Sequence, residues 1–487
     1  MSDMKSLAKD TAIYGLSSII GKFLNYLLVP LYTYKLANQA DYGIVTNLYA
    51  WTALLLVLLT YGMETGFFRF ANREDYDAKS VYRTAYTTLL FTSTLFAVIV
   101  VILQQPIANA LGYTDHSEFI AMMSVTVAVD AFACIPFAYL RQQKRPLLFA
   151  GLKLLFVLLN IAFTILFIVI LGKADVFYVF LSNILATGIQ TLCLLPFTMP
   201  KGGRFAWSVL GAMLRYSLPL LVLGVAGIMN QTLDRILFPY LYHAEDAQAQ
   251  LGIYGACFKV AMVMMMFTQA FRYAYEPFVF AKHKDRNSVE AYADGMKYYV
   301  IFSYLILLGV IFYLDIFKFI ISRSYWDGLL IVPVVLWTYV FQGIYFNLSF
   351  WYKLTDETKW GAYFSLIGLV ITVLIQVIGV PRIGYWASCG SSLVCYFFIM
   401  LLSYFIGQKK APIPYDLKRM GLYTLLTVVL LAIYYVCRFL LGLHMWQLMV
   451  IGTMLLTVYM VVLFKLDFPI KNYLYVLRNR RNHSSGR

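Results

Sequence analysis

The chain has 487 residues, 61% of them hydrophobic and only 13% charged, with a formal net charge of +15. Soluble domains carry roughly 45–50% apolar and about 25% charged residues. Surface-to-volume scaling bounds how much apolar surface a globular protein of this size can hide, so most of these side chains face lipid. The positive charge does not signal nucleic acid, because the basic residues gather in short loops between apolar segments rather than on one face. All six cysteines lie in apolar stretches without C-x-x-C spacing, and the five histidines show no i, i+4 pairing. Neither a disulfide framework, a metal site nor a cofactor is implied.

A helix needs about 20 mostly apolar residues to cross the hydrocarbon. Windows of that length predict an all-α polytopic membrane protein of about fourteen spans, at 12–34, 43–67, 82–104, 118–140, 147–171, 176–198, 216–240, 250–271, 297–320, 328–351, 360–380, 384–406, 418–441 and 446–466. The first is a span rather than a cleaved signal peptide, since Lys22 interrupts it and no small-residue cleavage site follows. The ninth is the least clean, with Asp315 and Lys318 near its end.

Lysine and arginine set the orientation. Alternate loops hold clusters such as Arg69, Arg73, Lys79 and Arg83, or Arg141, Lys144 and Arg145, and the tail adds Arg478, Arg480 and Arg481. The opposite loops hold only Lys35, Lys173, Lys318, Arg323, Arg382 and Arg438. The alternation is unbroken, which places both termini in the cytoplasm. All outer loops are short.

The chain also repeats. Pro30 and Gly43-Ile44 flank the first loop, Pro239 and Gly252-Ile253 the loop after the seventh span, and glycine follows proline by thirteen positions in both. The spans that follow end in Phe67-Phe68-Arg69-Phe70-Ala71 and Phe271-Arg272-Tyr273-Ala274-Tyr275, a weaker match because the two runs are offset. Copies of one orientation predict two parallel lobes related by an axis along the membrane normal. Residues 1–200 form the N-terminal six-helix lobe and 201–407 the C-terminal one, while 408–487 supply two additional helices and a basic tail.

Charge inside a span is costly and faces a cavity or a partner. Lys22 and Lys259 lie near mid-bilayer on the first and eighth spans, Lys153 nearer the basic side, Arg235 nearer the other, and Arg272 at the basic end of span eight. Together they mark a basic path across the membrane, suited to an anionic head group because ammonium and guanidinium groups bind phosphate oxygens strongly in a low dielectric. Snorkelling or local pairing is the alternative, strongest for Arg235 beside Asp234. The acidic candidates are Asp130 at mid-span and Glu64 and Glu276 towards the basic ends. Asp130 either pairs with Lys153 or takes a coupling proton or sodium ion; Glu276 stands four residues from Arg272 as an i, i+4 partner. Gly15 to Phe23 imitates a P-loop, but it is one residue too long, ends in Phe in place of Ser or Thr, and follows no strand. With no nucleotide motif, transport draws on a gradient or on downstream consumption of the product.

Three runs carry a family resemblance over nearly the full length: Leu28-Val29-Pro30-Leu31-Tyr32-Thr33 with Asp41-Tyr42-Gly43, then Phe271-Arg272-Tyr273-Ala274-Tyr275-Glu276-Pro277-Phe278, then Val380-Pro381-Arg382-Ile383-Gly384-Tyr385-Trp386-Ala387. In that order and spacing the chain resembles the Wzx-type lipid-linked oligosaccharide flippases of the multidrug/oligosaccharidyl-lipid/polysaccharide exporter superfamily. The resemblance implies a V-shaped pair of six-helix lobes, two extra helices and alternating access. It also implies a substrate like an undecaprenyl-pyrophosphate-linked repeat unit moved from the cytoplasmic to the outer leaflet, as in O-antigen, lipopolysaccharide and capsule assembly. Membrane lipid, the polysaccharide polymerase and glycosyltransferases become the implied partners, with no nucleic acid. Lysines here partly replace the arginine cluster of some lipid II flippases.

The competing readings are a drug or cation antiporter of the same superfamily, whose cavity should be acidic, and a membrane-embedded glycosyltransferase or polymerase, which should carry sizeable outer loops. The mid-span charges here are mostly basic, and the first outer loop is little more than Ala37-Asn38-Gln39-Ala40-Asp41. The expectation is therefore a transporter and not an enzyme.

Overall fold

The computed structural model describes residues 20, 21, 23, 24, 26–282, 288–355 and 357–467. Among the described residues the regular structure is entirely helical. In chain order the first helices are α1 (Leu28–Lys35), α2 (Gln39–Thr60), α3 (Met63–Ala71), α4 (Ala78–Ile102), α5 (Gln104–Leu111) and α6 (Ser117–Gln142). Next come α7 (Pro146–Thr164, running on as the π-helical turn Ile165–Ile170), α8 (Val176–Thr198), α9 (Trp207–Leu241), α10 (Ala247–Val260), α11 (Met262–Lys282) and α12 (Ser288–Phe312). After α13 (Leu314–Phe317) and two 3-10 turns follow α14 (Val332–Leu348), α15 (Phe350–Leu354), α16 (Lys359–Ile383), α17 (Tyr385–Lys410), α18 (Leu417–Phe439) and α19 (Met445–Leu466).

Twelve helical stretches among the described residues are long and apolar enough to cross a membrane, and α10 with α11 adds a thirteenth as a pair bent by 47°. They match the spans expected from the sequence after the first, of which residues 12–19, 22 and 25, Lys22 among them, lie outside the described residues. Details differ from the sequence reading, and the ninth span runs over Ser288–Phe312 instead of 297–320, leaving Asp315 and Lys318 beyond it. The eighth span breaks at Ala261 instead of running straight. The seventh starts well before residue 216, because Val209, Leu210 and Met213 bury their side chains among Met63, Phe67, Val81 and Tyr82 and so pay the helix's first turns back in packing.

Local chemistry sets the helix starts. Asp77 caps α4 by accepting from the backbone N–H of Ser80 (3.0 Å), and Asp175 caps α8 by accepting from that of Phe177 (2.7 Å). Asn38 caps α2 through the N–H of Asp41 (2.9 Å). Between α2 and α3 the chain turns through left-handed conformations at Tyr61 and Gly62, and the Gly62 carbonyl accepts both the Gly66 N–H and the Ser217 hydroxyl of α9 at 3.1 Å.

The repeat seen in the sequence becomes a contact. Helices α2 and α10 cross where Gly43 meets Gly252. A Cβ built on Gly43 would stand 1.9 Å from the Gln248 carbonyl oxygen, and one on Gly252 2.0 Å from that of Gln39. Each glycine thus faces the carbonyl four residues before the other, as a local two-fold relation requires. Only glycine lets the backbones approach this closely.

Packing divides the chain into two compact units, residues to 284 with 320–412, and residues 285–319 with 413 onward. The second unit joins α12 and α13 to α18 and α19, so the last two helices share their packing with the ninth span. Phe312 and Tyr434 meet at 4.9 Å between ring centres, Tyr304 hydrogen-bonds Thr424 at 2.8 Å, and the Tyr459 hydroxyl donates to the Ile301 carbonyl at 2.9 Å. Asp315 accepts from Lys318 (2.8 Å) and from Arg438 (3.0 Å), which explains the charged join noticed in the sequence.

Candidate functional site

Two cavities lie within the first unit, and α2 contributes to the lining of both. The first, of about 440 Å³, is walled by α9, α10, α11, α14, α16 and α17, with Ala53 of α2. The second, of about 470 Å³, is walled by α2, α3, α6, α7 and α8. Both fall within the roughly 300–1,000 Å³ of small-molecule sites.

The first cavity gathers three of the expected cations: Arg235, Lys259 and Arg272 all line it. Arg235 is held in place. Its Nε reaches Asp234 Oδ1 at 3.3 Å, its Nη2 donates to the Gln231 carbonyl, and its guanidinium lies 4.7 Å from the Phe258 ring. Asp234 is also claimed by the Tyr254 hydroxyl at 2.5 Å. That carboxylate is the single acidic group in the lining, against three cations. Lys259, half-buried, has no ion-pair partner among the described residues. The other polar groups of the wall are neutral, and Asn230 is the telling one. Its amide NH2 donates to the Ser365 carbonyl at 2.9 Å, while its buried Oδ1 accepts no hydrogen bond. Buried acceptors are normally satisfied, and this one, closed off from solvent, is an exception. Tyr339, Tyr345, Tyr396 and Gln342 complete a wall of aromatic faces and hydrogen-bonding edges.

The second cavity gathers Lys153, Asp130 and Glu64, with Arg141. Glu64 is ion-paired to Arg141 and accepts a weak hydrogen bond from the Cys134 thiol at 3.4 Å. Lys153 rests on the Phe137 ring, 3.9 Å from its centre. Two cations stand against two carboxylates here, so the second cavity is charge-balanced where the first is basic.

The expected basic path is therefore split: Arg235, Lys259 and Arg272 share one chamber, and Lys153 sits in the other. Lys22 lies outside the described residues. Glu276 stays beside the first cavity, 3.4 Å from Arg272 and 3.6 Å from Lys353. Sequence reasoning counted Arg141 and Lys353 only as loop charges and passed over Asn230, Gln231 and Gln342. Their signal was present, since amides inside apolar spans are scarce and need partners.

The model of a family described as polysaccharide biosynthesis protein matches residues 35–327, more than half of the chain. The chain belongs to this polysaccharide biosynthesis family. No curated protein matches it by sequence. Among solved structures, the lipid II flippase MurJ in an inward closed conformation superposes with a TM-score of 0.75 at 12% identity, covering 93% of this chain and 98% of that one. An inward-facing multidrug resistance MATE transporter of the MOP superfamily gives 0.66 at 11% identity, covering 82% and 94%. A MOP-superfamily transporter from Pyrococcus furiosus, described as having a binding pocket of reverse polarity that suggests a different function, gives 0.55 at 14% identity, covering 82% and 95%. These likenesses establish the fold. A member of the polysaccharide biosynthesis family with the MOP-superfamily fold is a multi-pass membrane protein built as transporters and flippases are built.

Proposed function

We propose that the protein flips an undecaprenyl-pyrophosphate-linked oligosaccharide from the cytoplasmic to the outer leaflet of a bacterial inner membrane by alternating access, acting as a transporter and not an enzyme. The observation that carries this reading is the charge of the first cavity, three cations against one carboxylate. A diphosphate cannot enter hydrocarbon unpaired, since burying an ion without partners costs many kcal/mol. Fixed cations inside the protein lower that barrier while the polyprenyl tail stays in lipid. The family model adds polysaccharide assembly as the setting. Tyrosine faces and the Gln231 and Gln342 amides suit sugar rings and their hydroxyls. In this reading Lys259 and Arg235 hold the diphosphate deep in the chamber, Arg272 meets it nearer the basic end, and Lys22 and Lys153 serve the N-terminal lobe. The lobes 1–200 and 201–407 rock around them, and the polymerase and glycosyltransferases supply and consume the substrate. Asp130, with Glu64 and Glu276 as further candidates, binds the proton or sodium ion that resets the cycle.

Surface-polysaccharide export in a strain lacking the protein tests this. Lys259→Gln should abolish most export at wild-type protein abundance, with Lys22→Gln behaving alike, and Lys259→Arg should keep more activity than Gln. Normal export by both glutamine variants would make these lysines structural. The cation-antiporter alternative needs an acidic chamber, and a basic one opposes it.

A further inference from the structure

Beside the first cavity, midway along α11, two cations share one ring and one carboxylate. Arg272 lies 4.4 Å and Lys353 4.6 Å from the centre of Phe346, whose side chain is part of the cavity wall. Glu276 offers one oxygen to each: Oε2 to Arg272 Nε at 3.4 Å, and Oε1 to Lys353 Nζ at 3.6 Å. Charge-assisted bonds in a settled ion pair run about 2.7–2.9 Å, so this carboxylate is stretched between its two partners and optimises neither. The cluster keeps a net positive charge. It is also open: side-chain exposures are 50% for Arg272, 27% for Lys353 and 31% for Glu276, against 17% for Arg235 deeper in the chamber.

We propose that Arg272 and Lys353, seated on Phe346, form a second and shallower diphosphate subsite at the mouth of the cavity, and that Glu276 is its resident, displaceable counter-ion. Lys353 is a binding residue that neither the sequence nor the family assigns. An incoming diphosphate carries more charge and more acceptor oxygens than one carboxylate, and it reaches both cations at once. Displaced, Glu276 turns from a partner into a like charge beside the ligand. That repulsion favours onward movement to the unpaired Lys259 and return of the carboxylate behind the ligand. The pair thus gives the anion an entry station that does not trap it. The inference rests on the anion-chamber reading above and extends it from one station to two.

The test is binding of inorganic pyrophosphate to the purified full chain at physiological salt, by calorimetry, for wild type, Lys259→Gln, Lys353→Gln, Lys353→Arg and Glu276→Gln. The subsite predicts that Lys353→Gln weakens binding roughly three- to tenfold, that Lys353→Arg restores most of it, and that Glu276→Gln tightens binding by a similar factor. Unliganded melting temperatures separate these changes from loss of fold. If wild type binds no pyrophosphate, the anion-chamber reading itself fails and takes the subsite with it. If Lys259→Gln weakens binding while Lys353→Gln and Glu276→Gln leave it unchanged, the chamber stands and the second subsite is wrong. Weaker binding in Glu276→Gln would equally overturn it, by making the carboxylate a support and not a competitor. A parallel titration with farnesyl diphosphate identifies the source: dependence on Lys353 in both titrations supports a subsite for the diphosphate of a prenyl-linked head group, whereas loss of that dependence for the prenyl compound would contradict it.

Discussion

At the residue scale, the chemistry of the site is set by which charges have partners. Arg235 is bound to Asp234 and to a backbone carbonyl, while Lys259 in the same chamber stands without a carboxylate. Lys259 is thus the group with most to gain from an anionic ligand. Asp130 plays the corresponding part in the charge-balanced chamber, half-buried with Lys153 in the same lining. Asp130→Asn should leave the protein folded and make transport in proteoliposomes indifferent to imposed proton or sodium gradients. A variant that follows the gradient as wild type does would remove Asp130 from coupling. Asp315 makes a different prediction, about pH. Burial pushes its carboxyl up, but the Lys318 ammonium and Arg438 guanidinium outweigh that and hold it below the usual carboxylate range. A carboxylate whose folded pKa is depressed adds stability above its unfolded pKa and loses it as pH falls through the folded value. Melting temperature in detergent should therefore fall below the ordinary carboxylate range, and Asp315→Asn should flatten that part of the profile while melting lower at neutral pH.

Elements are where the sequence was most legible, and where it stopped. A window of about 20 apolar residues is a strong signal because the bilayer imposes it, and so α2, α4, α6 to α8, α14 and α16 to α19 fall close to their expected places. Breaks inside a span leave little trace. The 47° bend at Ala261 and the turn at Tyr61-Gly62 come from tertiary packing, and hydropathy averages over them. Gly43 and Gly252, both singled out in the sequence, meet where α2 and α10 cross. The sequence placed Lys259, Arg235 and Arg272 on their helices but not in one chamber with Lys153 in another, because which face meets which is decided by helix rotation. If the crossing depends on glycine, Gly43→Ala and Gly252→Ala should each cost about 1–3 kcal/mol through overpacking, read as a lower melting temperature. Gly211→Ala, where a Cβ meets nothing within 4 Å, is the control. Equal melting of all three would mean the crossing yields readily.

For the whole molecule, orientation and cargo are the two claims that matter. In the orientation proposed from the alternating basic loops, Glu245 faces outside and Lys409 inside, and both residues are exposed. A cysteine at Glu245 should react with an impermeant maleimide added to intact cells, and one at Lys409 only after the membrane is opened. Labelling from the same side would overturn the topology and the direction of transport with it. The fold is shared by a lipid II flippase and by multidrug transporters, so architecture alone does not choose the cargo; the cargo proposed above rests on the polarity of the chamber. The most direct test uses purified protein in liposomes carrying a fluorescent polyprenyl-diphosphate oligosaccharide, with leaflet exposure read by an impermeant quencher or lectin. Wild type should exchange the lipid between leaflets, Lys259→Gln should lose most of that exchange, and a cationic dye offered in its place should not be transported. Exchange of the lipid-linked sugar unaffected by Lys259→Gln, or transport of the cationic dye alone, would contradict the account.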